Sequence, residues 1–193
     1  MNQTTASPAR ILAISGSLRV ASINSALLRA AARLAPPAMS IALCPEIGAL
    51  PLFNPDLESQ LPSSVARFRR AVGEADALLI ASPEYAHGVT GTMKNALDWL
   101  VGDEYFAGKP VAVLNASPRA YHADTALRET LRTMSAVIVE PASVVIPQLG
   151  ANLDEHSIVA LPEAAAAIRK MLAVLSSAIA SDIDLKRASI LES

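Results

Sequence analysis

Short runs of apolar residues alternate with longer amphipathic segments along most of this chain, and this alternation limits the folds it can adopt. Four runs carry apolar residues on consecutive positions, as strands buried on both faces do: residues 11–15, 41–44, 77–81 and 111–115. A weaker fifth run covers residues 137–139. The pattern therefore predicts five short strands, of which four are buried on both faces.

Segments with apolar residues at three- and four-residue spacing separate these strands and predict five helices. They cover about residues 24–34, 64–74, 92–101, 125–134 and 162–180. Strands that alternate with helices form a parallel sheet through right-handed crossovers, with helices on both faces. Five strands in 193 residues fit a flavodoxin-like three-layer sandwich, with sheet order 2-1-3-4-5, better than they fit a barrel.

Composition limits the domain organisation and the partners. No internal repeat or linker divides the chain, so we expect one domain over residues 1–193, with residues 1–9 and 182–193 as flexible tails. The 16 Lys and Arg residues against 18 Asp and Glu give a formal net charge of -2. This balance lacks the basic footprint of a nucleic-acid-binding protein.

The one cysteine and the most apolar segment limit the environment of the chain. Cys44 has no partner for an internal disulfide and is expected to be a small buried residue. No apolar run approaches the roughly 18–20 residues of a membrane span, because Arg169 and Lys170 interrupt the Ala-rich segment at residues 164–180. We therefore expect a cytoplasmic protein without a membrane partner.

In open parallel sheets, ligands bind beyond the carboxyl ends of the strands, near the point where the strand order reverses. The loop after the first strand reads GSLRVASIN over residues 16–24. Ser17, Ser22 and Asn24 offer hydrogen bonds and Arg19 a cation beside a helix N-terminus, which is typical of an anion site such as one for a phosphomonoester. The alternative is an ordinary turn in which Ser22 or Asn24 caps the helix.

The loop after the third strand, residues 82–91, has features that suit a flat ligand. Pro83 directs the chain out of the strand, and Gly88 permits close approach of the backbone. Tyr85 offers an apolar ring face, although ordinary packing of this side chain is an alternative. His87 is either a hydrogen-bond donor to a substrate or a cap on a turn.

The strings GSLRVASIN and SPEYAHGVTGTMKNALDWL resemble the NAD(P)H-dependent FMN reductases, which include quinone, chromate and azo-compound reductases. The resemblance covers about residues 10–180 and implies an FMN cofactor with NADPH or NADH as co-substrate. The residues that it places around FMN are Ser17, Arg19, Ser22, Ile23 and Asn24 at the phosphate, and Pro83, Glu84, Tyr85, Ala86, His87, Gly88 and Ser117 elsewhere in the site. Ala86 departs from the Asn that many relatives carry, so only its backbone is expected to contact the flavin.

The resemblance implies hydride transfer from NAD(P)H to bound FMN and then to a flavin, quinone, chromate or azo acceptor, by a ping-pong mechanism. Such chemistry needs no acid–base residue, and neither a catalytic side chain nor a metal site is expected. The resemblance also implies that the third helix joins a subunit interface in a homodimer or homotetramer. The alternative function is a non-enzymatic FMN electron carrier or a flavin redox sensor.

Overall fold

The computed structural model describes residues 7–146, 149–150 and 152–191, with the backbone alone for residues 46 and 183–191. The strands are β1 (Ala9–Ser15), β2 (Met39–Leu43), β3 (Ala77–Ala81), β4 (Glu84–Tyr85), β5 (Gly88–Val89), β6 (Pro110–Leu114) and β7 (Val137–Ile138). The helices are α1 (Ile23–Leu34), α2 (Ser63–Glu74), α3 (Gly91–Asp98), α4 (Tyr121–Thr133), α5 (Glu155–Ala160) and α6 (Pro162–Leu191). Short 3-10 helices lie at Glu46–Ala49, Pro55–Gln60 and Glu140–Ala142.

Five strands form one parallel sheet in the order β2-β1-β3-β6-β7. The central strands β1 and β3 pair in a register that joins Ile11 to Ala77 and Ser15 to Ala81. This sheet confirms the predicted order 2-1-3-4-5 and the flavodoxin-like fold. Since every strand runs in the same direction, their carboxyl ends lie along one edge.

Alternate residues of the central strands supply two separate cores. Leu79 of β3 joins the core that contains Leu27 of α1 and Ile168 of α6. Leu78 and Ile80, which precede and follow Leu79, join the core of α2, α3 and α4 on the other face. The two cores make the three layers, and they explain why β1, β3 and β6 are apolar on consecutive positions. The expectation that the second strand is also buried on both faces is wrong, because β2 is at the edge of the sheet and exposes Ser40 and Ala42.

The elements that sequence periodicity missed are short or depend on distant contacts. The antiparallel hairpin of β4 and β5 contains two residues in each strand, too few for an alternating pattern to be recognised. α4 begins at Tyr121 rather than near residue 125, because a distant carboxylate caps its first turn, as described below. Parts of the predicted tails belong to regular elements, since Ala9 pairs with Met39 in the sheet and α6 continues to Leu191. The rest of the predicted tails, residues 1–6 and 192–193, lies outside the described residues.

The long helix α6 differs from expectation in a second respect. Its segment Pro162–Asp182 is long and apolar enough, by length and composition alone, to cross a membrane, and 39% of its most apolar window is buried inside the protein. Ile168, Leu172 and Leu175 lie in the core against the sheet. One helix of this kind is weak evidence for a span, because the core helix of a soluble fold meets the same criterion. The absence of a membrane partner stays a prediction.

A close backbone contact joins the first two loops where β1 and β3 end. The Gly16 N–H donates to the Ala81 carbonyl at 2.8 Å, and the Thr90 hydroxyl donates to the Gly16 carbonyl at 2.8 Å. A Cβ at Gly16 would lie 2.2 Å from Oγ and 3.1 Å from Cα of Ser82. The position therefore requires glycine for steric reasons.

We expect Gly16→Ala to destabilise the fold by about 1–3 kcal/mol, because the added methyl forces the Ser82 backbone away from the end of β1. Chemical denaturation followed by circular dichroism measures the loss. The matched control is Gly91→Ala in the first turn of α3, where a Cβ would meet no atom within 4 Å. Equal stability of Gly16→Ala and wild type would contradict the steric argument.

Candidate functional site

The loops after β1, β3 and β6 enclose a cleft of about 390 Å³ at the carboxyl edge of the sheet. Of the predicted site residues, Ile23, Asn24, Pro83, Glu84 and Ser117 line it. The predicted FMN contacts do not include the other lining residues, which are Ser82, Asn115, Ala116, Arg119 and Ala120, although the sequence suggested Arg119 or His87 as a contact for a 2′-phosphate. Three segments that are distant along the chain therefore meet in one recess.

The first loop is held by its own serines. Ser15 Oγ lies 2.8 Å from Ser25 Oγ and accepts a hydrogen bond from the Ser17 N–H at 3.3 Å. Ser22 is the N-cap of α1, since its hydroxyl accepts from the Ser25 N–H at 3.4 Å. The capping interpretation of Ser22 is thus observed, and it places the first turn of α1 at the wall of the cleft.

Two side chains of this loop keep their donors available. Asn24 is buried and lines the cleft. Arg19 is exposed. Within the part of the chain that the structure describes, neither side chain makes a hydrogen bond or an ion pair with another residue. An amide, a guanidinium and a helix N-terminus together suit a phosphate group.

The second loop forms the tight hairpin of β4 and β5, and its turn is conformationally strained. Ala86 and His87 both have positive φ, 49° and 59°, as two-residue hairpin turns require at their central positions. Residues other than Gly, Asn and Asp adopt this region at a cost of about 1–2 kcal/mol each. The turn carries Tyr85 and His87 on the exposed side of the hairpin.

Glu84 ties the strained hairpin to α4. Its Oε2 accepts a hydrogen bond from the Ala123 N–H at 2.9 Å, and its Oε1 lies 3.2 Å from Nδ1 of His87. The Ala123 N–H is the main reason that the pKa of Glu84 lies below its ordinary value; desolvation opposes this effect, and the imidazoles of His122 and His87 reinforce it. The carboxylate therefore caps α4 and fixes the turn at the same time.

The third loop is shaped by Asn115, a buried residue that follows β6 directly. Asn115 Oδ1 accepts from the Ser117 N–H at 2.9 Å, and its Nδ2 donates to the Ala120 carbonyl at 3.2 Å. These bonds place Ser117 and Arg119 on the cleft. The signal for this role was present in the sequence, because an Asn at a strand end commonly bonds to the backbone two residues later.

The size of the cleft and the donors of its first loop suit a bound nucleotide. The described residues contain no cluster of three His, Cys, Asp or Glu side chains that could hold a metal ion. The cleft volume of about 390 Å³ lies in the range usual for small-molecule and cofactor sites. Donors suited to a phosphate lie at the first loop, and the second loop contributes Pro83 and Glu84 to the same cleft.

We expect Glu84→Gln to lower the melting temperature at neutral pH, because the neutral amide is a weaker cap for α4 and a weaker partner for His87. A lowered pKa in the folded state stabilises the protein above the ordinary glutamate pKa of about 4.3, and this contribution is lost as the pH falls through the folded-state value. The difference in melting temperature between variant and wild type should therefore become smaller as the pH falls.

Thermal melts from pH 7 to pH 3 measure this gap. Glu129→Gln is the matched control, an exposed glutamate on the same helix, and it should follow wild type throughout. A gap between Glu84→Gln and wild type that is independent of pH would contradict the assigned charge.

Comparison with known proteins identifies the family. The family model described as NADPH-dependent FMN reductase matches residues 9–150. The chain is similar to an NAD(P)H-dependent FMN reductase of Pseudomonas aeruginosa, with 45% identity over 63% of this chain and 69% of the relative. It is also similar to a quinone reductase of Pseudomonas putida, with 38% identity over 63% of this chain and 68% of the relative.

A solved structure supports the same conclusion. The flavoenzyme NAD(P)H:(acceptor) oxidoreductase of Paracoccus denitrificans superposes with a TM-score of 0.70 and 26% identity, over 88% of this chain and 98% of that one. The expected family, its flavin chemistry with a nicotinamide reductant, and the enzyme class are confirmed, against the non-enzymatic alternative. The chain belongs to the NADPH-dependent FMN reductase family of oxidoreductases.

Proposed function

We propose that this chain is a single FMN-binding domain over residues 1–193 that reduces a small-molecule acceptor, with a quinone as the favoured class. The observation that carries the proposal is that Asn24, Pro83 and Ser117, from three different loops, line the same cleft. FMN held in this cleft would supply the redox chemistry, carrying the hydride equivalent of NAD(P)H to the acceptor. The quinone reductase among the relatives supports this class of acceptor. A cytoplasmic location stays a prediction.

The protein's contribution is to bind and orient the cofactor. Ser17, Arg19, Ser22, Ile23 and Asn24 form the end of the site that would hold the phosphate. In this group Asn24 and the first turn of α1 would donate from the wall, and Arg19 would close over the phosphate from solvent. The ring would lie against the segment from Pro83 to Gly88 and against Ser117. At Ala86 the backbone alone is offered, because the side chain is a methyl group.

The open shape of the site also supports a proposal for the order in which the two substrates bind. One open recess receives both NAD(P)H and the acceptor, so the two substrates compete for the same space. We therefore propose a ping-pong mechanism, for which double-reciprocal plots at several acceptor concentrations give parallel lines. Flavins, chromate and azo compounds are the other acceptors proposed, because an open site selects weakly among planar or small oxidants.

A purified sample tests the cofactor assignment directly. The protein should show a flavin absorption spectrum that bleaches on anaerobic addition of NADPH, and it should release FMN on denaturation. Arg19→Ala should weaken FMN binding about tenfold, since an arginine–phosphate contact is a charge-assisted hydrogen bond. Fluorescence titration of the apoprotein with FMN measures this affinity.

The control for Arg19→Ala is Arg70→Ala. Arg70 is an exposed arginine on α2, and this helix leads into the amino end of β3, away from the cleft. Its loss should leave FMN affinity unchanged. A colourless protein that does not bind FMN would refute the proposed function, and wild-type affinity in Arg19→Ala would refute the assigned role of that residue.

We further propose a homodimer or homotetramer whose interface includes α3 together with the exposed residues Leu52 and Val20. Trp99 Nε1 and Asn95 Nδ2 both donate to the Pro51 carbonyl, at 2.8 and 3.0 Å, and this anchoring leaves the adjacent Leu52 83% exposed. Val20 of the first loop is 96% exposed. A contiguous apolar patch marks an interaction surface, and we propose that these two side chains become part of one when two copies associate.

We expect light scattering at micromolar concentration to give the mass of a dimer or tetramer. The double variant Val20→Asp/Leu52→Asp should then dissociate, because it places charge on the proposed contact surface. A monomeric mass for the wild-type protein would exclude the assembly.

A further inference from the structure

Three aromatic rings pack together where α4 begins, directly after the cleft residue Ala120, and two of them, Tyr121 and His122, are not among the proposed FMN contacts. Tyr121 packs against His122 with ring centroids 3.9 Å apart, and His122 packs edge-to-face on His87 at 4.4 Å. Tyr121 stands at the start of α4 and is 59% exposed. We call these three residues the aromatic rim. An exposed ring supported from beneath by a second ring offers a surface on which a flat base can stack.

The loop that leads into α4 carries a cation with no protein partner among the described residues. Arg119 lines the cleft two residues before Tyr121 and is exposed. In the described part of the chain its guanidinium makes no hydrogen bond or ion pair. Arg128 of α4 differs, because Asp124, Glu140 and the Ser143 carbonyl all bind it.

The acidic groups near Arg119 are already engaged. Glu84 is bound by the Ala123 N–H and by His87, and Asp124 is bound by Arg128. No carboxylate in the described structure is therefore positioned by a contact to neutralise Arg119. A guanidinium in this position is suited to bind a phosphate from a ligand, through a planar and bidentate contact.

The phosphate in question differs from that of FMN. The proposed FMN phosphate site lies on the first loop, where Asn24 and Arg19 have no protein partners, whereas Arg119 lies on the third loop. The adenosine end of NADPH carries a flat base and, close to it, a 2′-phosphate. NADH lacks this phosphate and is otherwise identical. The aromatic rim offers a ring for the adenine, and Arg119 offers a guanidinium for the 2′-phosphate.

We propose that Tyr121, supported by His122, stacks on the adenine of the co-substrate while Arg119 binds the 2′-phosphate, so that the enzyme selects NADPH over NADH. This inference rests on the proposed function, since it locates the second half of the same co-substrate. It makes Arg119 and Tyr121 specificity-determining residues. Neither residue is required for FMN to bind.

Binding of nucleotide fragments tests the site without any turnover. Isothermal titration calorimetry of the FMN-loaded protein compares adenosine 2′,5′-bisphosphate with adenosine 5′-monophosphate. Wild type should bind the bisphosphate about tenfold more tightly, and Arg119→Ala should lose that difference, as expected for one charge-assisted contact near the surface. Raising the salt concentration should also reduce the difference in wild type.

Tyr121 is tested by a matched pair of variants. Tyr121→Ala should weaken the binding of both adenosine nucleotides by a similar factor, because stacking does not distinguish them. Tyr121→Phe keeps the ring and should retain wild-type affinity for both. The side chains of Arg119 and Tyr121 are exposed, so these variants are expected to fold normally.

Steady-state kinetics provides the second readout. The ratio of kcat/KM for NADPH to kcat/KM for NADH should fall about tenfold in Arg119→Ala, and it should be unchanged in Arg70→Ala. An unchanged ratio and an unchanged fragment preference in Arg119→Ala would overturn the inference. So would a loss of FMN affinity in Arg119→Ala without any change in nucleotide preference.

FMN titration of each protein separates the two failures. If wild type binds FMN and Arg119→Ala keeps the nucleotide preference, the inference fails and the proposed function stands. If wild type does not bind FMN, the proposed function fails. The fragment titrations on the cofactor-free protein then decide whether Arg119 and Tyr121 bind an adenosine phosphate on their own.

Discussion

The close contact at Gly16 is the constraint on which the rest of the site depends. β1 and β3 are neighbours in the sheet, and the chain leaves both strands at the same edge. The two loops fit there because Gly16 has no side chain and bonds by its backbone to Ala81 and Thr90. The first turn of α1 and the hairpin of β4 and β5 are thereby held on opposite sides of one recess.

Glu84 connects the second loop to the helix that follows the third loop. Its carboxylate lies at the N-terminus of α4, where the helix dipole favours negative charge. The same carboxylate contacts His87 in a turn whose positive φ values are unfavourable for Ala86 and His87. One side chain thus stabilises a helix start and offsets strain in the hairpin. This arrangement keeps the segment that would border the flavin in a defined position without a glycine in the turn.

The architecture could be predicted from the sequence because local residue patterns determine its strands and helices. Buried parallel strands need consecutive apolar residues, and amphipathic helices need a period of 3.6, so the strand order and the layers could be predicted. The hairpin and the beginning of α4 could not be predicted in this way. β4 and β5 are too short to show a pattern, and α4 starts where it does because Glu84, 39 residues from Ala123 in the chain, caps it.

The candidate site divides in the same way. The amino-acid sequence by itself determined the fold class, the two loop motifs and the identity of their donors, since these depend on residue type and spacing along the chain. Only the tertiary structure decided that Asn115 shapes the third loop, that Glu84 joins two elements and that His122 packs against both Tyr121 and His87. The physical reason is that hydrogen bonds, ion pairs and ring contacts act over a few ångströms in space, and the fold alone determines which distant residues come that close.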